Sequence, residues 1–515
     1  MTTKGDSIMV LEMVVCSVAA LFVLFFSSLL FFCRRRSRPP EPADLTLLRS
    51  YPVVGNLPHF VKNRHRLLEW VTELVAASPT ATVTVAPFVF TASSANVEHV
   101  TKANFGNYPK GDADVATLHD FLGRGIFNSN GADWKSQRKT ASFEFNTRSL
   151  RAFVLDKARR ELVGRLLPLL NRASRSGDVV DLQDVLERFA FDNICSLVFG
   201  MDPKCLGGGS EEGERFFHAF DRAAHLSIER MNWPFAWMWK LQKWLGVGAE
   251  RCLRESMSIV HDVIEKAVKA RRSTPIKSDM GSDFLSRFAA DGANSDEYVR
   301  DILISFVLAG RDTTPSALTW FFWLLSSRPD VVNRIREEVK RIRSRRQPGN
   351  DGEEAATFTL EELREMAYVH AAISESLRLY PPVPLLPRVS AEEDETPDGA
   401  RVRKGWTVMY NAYAIARREG VWGADCGEFR PERWLDEEGV FRPKSPFVFP
   451  VFHAGPRMCL GKDMAYIQMK ALVAGILERF NVEVAEERRQ PRHLLTFTMR
   501  MEGGLPVRVK AIEGV

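Results

Sequence analysis

Neither charge sign dominates this chain: 70 Lys and Arg stand against 65 Asp and Glu over 515 residues, a net charge of +5. A balance that even excludes a nucleic-acid-binding protein, which needs a concentrated basic face. Cysteine is sparse and irregularly placed. The seven cysteines, Cys16, Cys33, Cys195, Cys205, Cys252, Cys426 and Cys459, form no CxxC pair. That pattern excludes a disulfide framework and a zinc ribbon, and it fits a reducing compartment. No internal repeat with a period of about 20–50 residues is present, so solenoids and propellers are excluded. No phosphate-binding Walker loop occurs, and the glycines of GRGIFNSNG (123–131) miss the dinucleotide fingerprint at its third position. The chain therefore carries no nicotinamide or flavin site of its own. With 45% hydrophobic and 26% charged residues, disorder is excluded as well.

What is present begins with one long apolar run. From Met13 to Cys33 there are 21 residues without a charge. As a helix they reach roughly 32 Å, enough for a hydrocarbon layer of about 30 Å. The run is too long for the core of a secretory signal. Arg34, Arg35, Arg36 and Arg38 follow it directly, which the positive-inside rule places on the cytosolic side. Residues 1–33 are thus expected to be a single-pass membrane anchor with the rest of the chain in the cytosol. Pro39, Pro40, Pro42, Pro52 and Pro58 make residues 34–58 a stiff linker.

Residues 59–515 read as one catalytic body, mainly α with a small β-rich portion. The stretch TATVTVAPFVFTAS (80–93) has the β-branched and aromatic content of a strand pair. Helical periodicity predicts helices over Leu150–Asn171, Leu182–Val198, Arg251–Arg272, Ser295–Ser327, Val331–Arg343, Leu360–Tyr380 and Cys459–Phe480. Polar stretches at 203–214, 271–282 and 345–357 are expected to be surface loops.

The chemistry gathers in the last third, in PVFHAGPRMCLGKDMA (450–465). Cys459 stands just before a helical pattern, where unpaired amides and the helix dipole favour a thiolate. Gly455 and Gly461 can let the backbone approach a large flat ligand, and Phe452 can cover the sulfur. A thiolate so placed suits an iron that must cleave the O–O bond. A cysteine after a Gly-rich turn can equally be inert packing, but Phe452, Gly455, Arg457 and Gly461 recur with it at fixed spacing.

These residues resemble the signature of the cytochrome P450 family, the haem-thiolate monooxygenases. Four further motifs follow in the family's order: Trp134-x-x-x-Arg138, Ala309-Gly-Arg-Asp-Thr-Thr314, Glu375-x-x-Arg378 and Pro431-Glu-Arg-Trp434. The resemblance implies the family's fold and haem b, with Cys459 as the axial ligand of the iron. It implies that Arg457, Trp134, Arg138 and Arg388 hold the propionates, and that Glu375, Arg378 and Arg433 form a buried structural triad. Gly310 is expected to leave room for dioxygen, while Asp312 and Thr313 relay protons. Pro315 either widens the central helix or marks a packing kink. Trp434 replaces the usual Phe, which should alter loop packing and leave chemistry alone. His453 is expected at a surface or interface.

Electrons are expected from a separate NADPH–cytochrome P450 reductase in the endoplasmic reticulum membrane, docking on basic residues that include Arg138, Lys139 and Lys462. NFGNYPKG, FLGRGIFNSNGADWKSQRKTASFEF and FHAGPRMCLGKDMAYIQMK resemble the plant clan that hydroxylates fatty acids near the chain end and jasmonoyl-amino acids. The resemblance implies a lipid substrate, with a jasmonoyl conjugate or a steroid-like lipid as the alternative. A hydroperoxide-rearranging enzyme and a non-catalytic haem- or lipid-binding membrane protein are the remaining readings, and retention of Thr313 and the complete signature speak against both. Candidate tunnel walls are His119–Ile126, Leu303–Thr313, Val383–Pro387 and Leu495–Met499, whose apolar residues can equally be core. WPFAWMWKLQKW (233–244) holds four tryptophans and reads as a membrane-dipping segment or an aromatic core.

Overall fold

Apolar side chains on every face of residues 296–325 mark a helix that is surrounded by protein along its length. In the computed structural model this is the 30-residue helix Asp296–Leu325, capped by Ser295, whose hydroxyl accepts the Tyr298 amide. The structure describes Leu48 and residues 55–512, apart from 146–147, 234, 274–284, 286–287, 289–293, 347–356 and 486–490. The expected anchor lies outside the described residues. Among the described residues, no helix is long and apolar enough to cross a membrane. Of the expected linker, Leu57 and Pro58 already open a helix, Leu57–Asn63, with the proline in its first turn.

The helices that position the site are α1 (Asp112–Leu122), α2 (Gly131–Phe145), α3 (Leu182–Val198), α4 (Glu211–Glu229), α5 (Ala236–Leu245), α6 (Gly248–Ser273), the central α7 (Asp296–Leu325), α8 (Ala367–Leu379) and α9 (Lys462–Arg479). A four-stranded sheet lies to one side, with β1 (Thr82–Val85), β2 (Phe88–Thr91), β3 (Leu385–Val389) and β4 (Thr407–Asn411) in the order β1-β2-β4-β3. Only β2 and β4 pair in parallel; Arg388 on β3 lies opposite Val408 on β4. The last strand used below is β5 (Met499–Met501).

The core has two main apolar clusters, one along each half of α7. One joins its C-terminal half to α8 and α9, through Trp320, Phe321, Ile373 and Leu472. Within it the Trp320 indole stacks on Tyr380 with centroids 4.3 Å apart, and its N–H donates to the Met499 carbonyl at 2.9 Å. The other joins Leu303 and Val307 to α1, α3, α4 and α6.

Three expectations need correction. The stretch 360–380 is two helices, because Thr359 and Glu362 form a capping box and the chain leaves helical geometry at Met366. The polar stretch 203–214 is only partly a loop: α4 starts at Glu211, capped by Ser210, which accepts the Gly213 amide. Helix α2 escaped the periodicity reading because GADWKSQRKTASFEF holds its few apolar residues off any clean stripe.

Candidate active site

Cys459 is set by a tight turn. Its N–H donates to the Phe452 carbonyl at 2.8 Å, and the Gly461 amide donates to its sulfur. Helix α9 starts at Lys462, so Cys459 sits ahead of the helix, outside its first turn. Burial pushes the Cys459 thiol up, against the pull of the Gly461 amide, Arg138 and Lys462. A coordinating cation would favour its thiolate. Phe452 lies beside it, 5.3 Å from Tyr466, with the Lys462 ammonium 5.8 Å from its ring. The two glycines differ in purpose. Gly455 has φ +65°, and a Cβ there would meet the Thr101 carbonyl oxygen at 1.9 Å, so its missing side chain serves backbone packing and no flat ligand. Gly461 supplies its amide.

Around this turn stand cations without acids. Arg457 donates to the Asn130 side chain at 2.9 Å and the Ser129 carbonyl at 3.1 Å, and its guanidinium lies 4.4 Å from the Trp134 ring centre. Its Nε is buried without a partner. Burial, Arg388 and Arg138 together bring Arg457 down to about 9. Buried Arg388 donates only to its own chain, at the Pro387 carbonyl, 2.7 Å away. Burial lowers half-buried Arg138, against the charge of Cys459. Among the described residues no carboxylate pairs with Arg138, Arg388 or Arg457. Guanidinium groups packed together and left short of acceptors fit a ligand carrying carboxylates of its own. With one accessible sulfur and no acid beside it, the donor set fits haem and its two propionates.

His453 is half-buried. Its Nδ1 lies 3.2 Å from the Tyr410 hydroxyl. Burial, then Arg388, Lys110, Arg457 and Arg138, bring it down to about 3, so it is neutral.

Behind the signature lies the triad. Arg378 meets both oxygens of Glu375 at 2.8 Å, and Arg433 reaches Oε1 at 3.1 Å. Arg378 also donates to the carbonyls of Cys426 and Glu428, and Arg433 to those of Trp422 and Asp425. Two guanidinium groups thereby pin residues 422–433 onto α8. Trp434 joins them: its indole N–H donates to Glu375 Oε2 at 2.9 Å. The expected change in loop packing thus includes a hydrogen bond, through the one indole donor that Phe lacks. Trp434→Phe is expected to cost about 1.5–3 kcal/mol, the worth of a hydrogen bond to a charged acceptor, and to lower the thermal midpoint of the haem-bound protein in a melting experiment.

On α7, Thr313 donates to the Ala309 carbonyl at 2.8 Å, the local bond that bends a helix. Pro315 is buried and the helix runs through it. Gly310 requires correction: a Cβ there would meet Ile194 Cδ1 of α3 at 2.6 Å, so the glycine lets two helices close rather than making room for a ligand. Asp312 is held by Arg311 at 2.6 Å, and burial raises it against that charge.

Cys459, Arg138, Arg388, Arg457 and His453 are thus brought together, and Glu375, Arg378, Arg433 and Trp434 form a second group. Sequence reasoning missed Asp425, Tyr410 and Lys110, whose partners are distant in the chain and leave no local spacing.

A family profile described as Cytochrome P450 matches residues 46–505. The chain is 52% identical to Cytochrome P450 CYP94D108 of Paris polyphylla over 93% of its length and 94% of the relative's. It is 41% identical to Cytochrome P450 94A1 of Vicia sativa, covering 90% of this chain and 91% of that one. With Cytochrome P450 94B1 of Arabidopsis thaliana it shares 42% identity over 98% and 99% of the two chains. The chain belongs to the cytochrome P450 family of haem-thiolate monooxygenases, which hold haem iron and draw electrons from NADPH through a reductase.

Proposed function

We propose that this cytochrome P450 hydroxylates fatty acids at the terminal or adjacent carbon, at the endoplasmic reticulum membrane. Cys459 is the iron's ligand, Arg457, Arg388, Arg138 and Trp134 hold the propionates, and the group so held supplies the activation of dioxygen. Asp312 donates a proton and Thr313 orders the groups that carry it. Residues 13–33 anchor the chain, with the catalytic body in the cytosol, and Arg138, Lys139 and Lys462 form part of the reductase-docking face.

One observation carries the lipid reading: an exposed aromatic helix, α5, is held by an ion pair at the end of α1, whose Phe121 belongs to the apolar cluster beside α7. Phe121 of α1, Leu303 and Val307 of α7, and the partly buried Phe497 and Leu460 share that cluster. Phe121 and Phe497 lie 6.0 Å apart. Val383–Pro387, a candidate fourth wall, packs elsewhere, with Val383 and Leu386 in the cluster beneath the sheet. Helix α5 is fixed to the end of α1 by Lys243 and Asp120, 2.7 Å apart. Of its tryptophans only Trp239 is buried, while Trp237 is 58% and Trp244 80% exposed. Such rings suit a lipid interface, from which an acyl chain can reach the cluster.

A carboxylate stays at the wet end, since burying it unpaired costs several kcal/mol. The apolar tail extends inward, each methylene adding about 0.8 kcal/mol. A series of fatty acids turned over by microsomes with reductase and NADPH is expected to give terminal and adjacent alcohols, with a chain-length optimum and weaker binding of methyl esters. Products spread evenly along the chain, or indifference to its length, would favour a jasmonoyl conjugate or a steroid-like lipid.

A further inference from the structure

Five charged side chains from four elements meet behind Asp312. Arg311 lies between Asp312 and Asp221 of α4, 2.6 Å from each. Arg500 of β5 reaches the same Asp221 at 3.0 Å and Glu187 of α3 at 2.6 Å. The side chains of Asp221 and Arg500 are 34% and 28% exposed, those of Arg311 and Glu187 only 2% and 8%. A continuous line of contacts therefore runs from solvent to the acid of the central helix.

Three carboxyls face two guanidinium groups, so full ionisation leaves one uncompensated negative charge in a mostly buried cluster. Such a charge costs several kcal/mol unless one acid takes up a proton. Burial raises Glu187 to about 7, against the charges of Arg311 and Arg500, and burial raises Asp312 in the same way. Asp221, although largely buried, is held low by Arg311 and Arg500. Two neighbours are spectators: the Phe217 ring, 5.1 Å from Arg311, and Cys195, whose burial keeps its thiol neutral.

We propose that Glu187, Asp221 and Arg500 are positioning residues for proton delivery: they keep one exchangeable proton in this network and, through Arg311, govern when Asp312 leaves its ion pair. Both arginines stay protonated and no proton passes through them: ionised Glu187 holds Arg500, Asp221 holds Arg311, and Asp312, whose side chain is 10% exposed, then takes one proton from water and gives it up at its carboxyl; no electron moves. The proposal rests on the reading of Asp312 as the donating acid.

The sign follows from the charge count. As pH falls through the Glu187 value, Glu187 takes up the network's proton, Asp312 stays ionised against Arg311, and reducing equivalents escape as peroxide. The test measures product formed per NADPH consumed, from about pH 6 to 8, on the full-length enzyme with its reductase, spanning the range in which a tuned acid titrates. Wild type is expected to lose coupling as pH falls. Glu187→Gln leaves two acids against two arginines, and is expected to be flat with pH and roughly tenfold less coupled, a small part of what a positioned acid supplies. Glu187→Asp should restore the slope. Independently of turnover, infrared spectroscopy should show a protonated-carboxyl band in wild type that Glu187→Gln removes. A wild-type slope in Glu187→Gln, or a surviving band, overturns the proposal. If Glu187→Gln fails to fold, Asp221→Asn, at the exposed edge, carries the same expectation of a flat profile. Asp312→Asn separates the two levels: if it stays fully coupled, the reading of Asp312 falls and takes this proposal with it, whereas uncoupling there without uncoupling in Glu187→Gln removes the network alone.

Discussion

Replacing Cys459 by alanine is expected to abolish the thiolate-type absorption of the reduced carbon-monoxide complex and all hydroxylated product. No second ligand stands in reserve. His453, six residues earlier, is neutral and could in principle bind a metal, but its Nδ1 is engaged by Tyr410 and its ring belongs to the Arg388 and Arg457 side of the turn. The fold should survive the change. The turn is closed by the backbone bond from Cys459 to Phe452, which alanine keeps, and losing one accessible sulfur should alter stability by no more than about 1 kcal/mol. An unchanged spectrum would remove Cys459 as the ligand and, with it, the proposed chemistry.

The second large effect is on folding. Glu375→Ala removes the one acid shared by Arg378, Arg433 and the Trp434 indole. Arg378 and Glu375 have side chains 1% and 0% exposed, so Arg378 would be left charged and dry. Breaking a buried pair from one side costs roughly 3–5 kcal/mol, a large share of a total stability of about 5–15 kcal/mol. The Arg430 amide also loses its acceptor, Glu375 Oε1 at 3.1 Å, so residues 422–434 should loosen together. The expected result is little or no haem-bound protein at normal expression, measured by the carbon-monoxide difference spectrum against total protein. Glu375→Gln, which keeps an acceptor, should retain more. Equal yields from wild type and Glu375→Ala would show that the triad is not what secures this loop.

Much of this was legible in the sequence, for reasons that differ by residue. Helix α3 is found at the bounds that periodicity predicts, and the Glu375–Arg378 spacing of one helical turn told of an ion pair. Burial of that pair followed only from the family resemblance, because spacing cannot show the carbonyls that residues 416–428 supply. Gly310 illustrates a second kind of failure. A glycine in a known motif names no neighbour, and only the packing of α3 shows that Ile194 is what it accommodates. For Arg388 and Arg457 the resemblance suggested what they hold, yet nothing in the sequence told that Lys110 and His453 would stand with them in one recess.

The indole bond of Trp434 bears on how such a protein can change over generations. Stacked against Phe441, with centroids 5.8 Å apart, and wedged by Phe449 at 4.8 Å, the ring is held by neighbours shaped to its width. Effects of residues that share one carboxylate do not add. Return to phenylalanine therefore depends on which aromatic neighbours have since adjusted, and it forfeits a donor to Glu375 at the same stroke. A substitution that was once optional has become entrenched. Lineages carrying Trp434 should show coordinated replacement at 441 and 449, and a reversion introduced alone should be worse tolerated than the same phenylalanine in a relative that never left it.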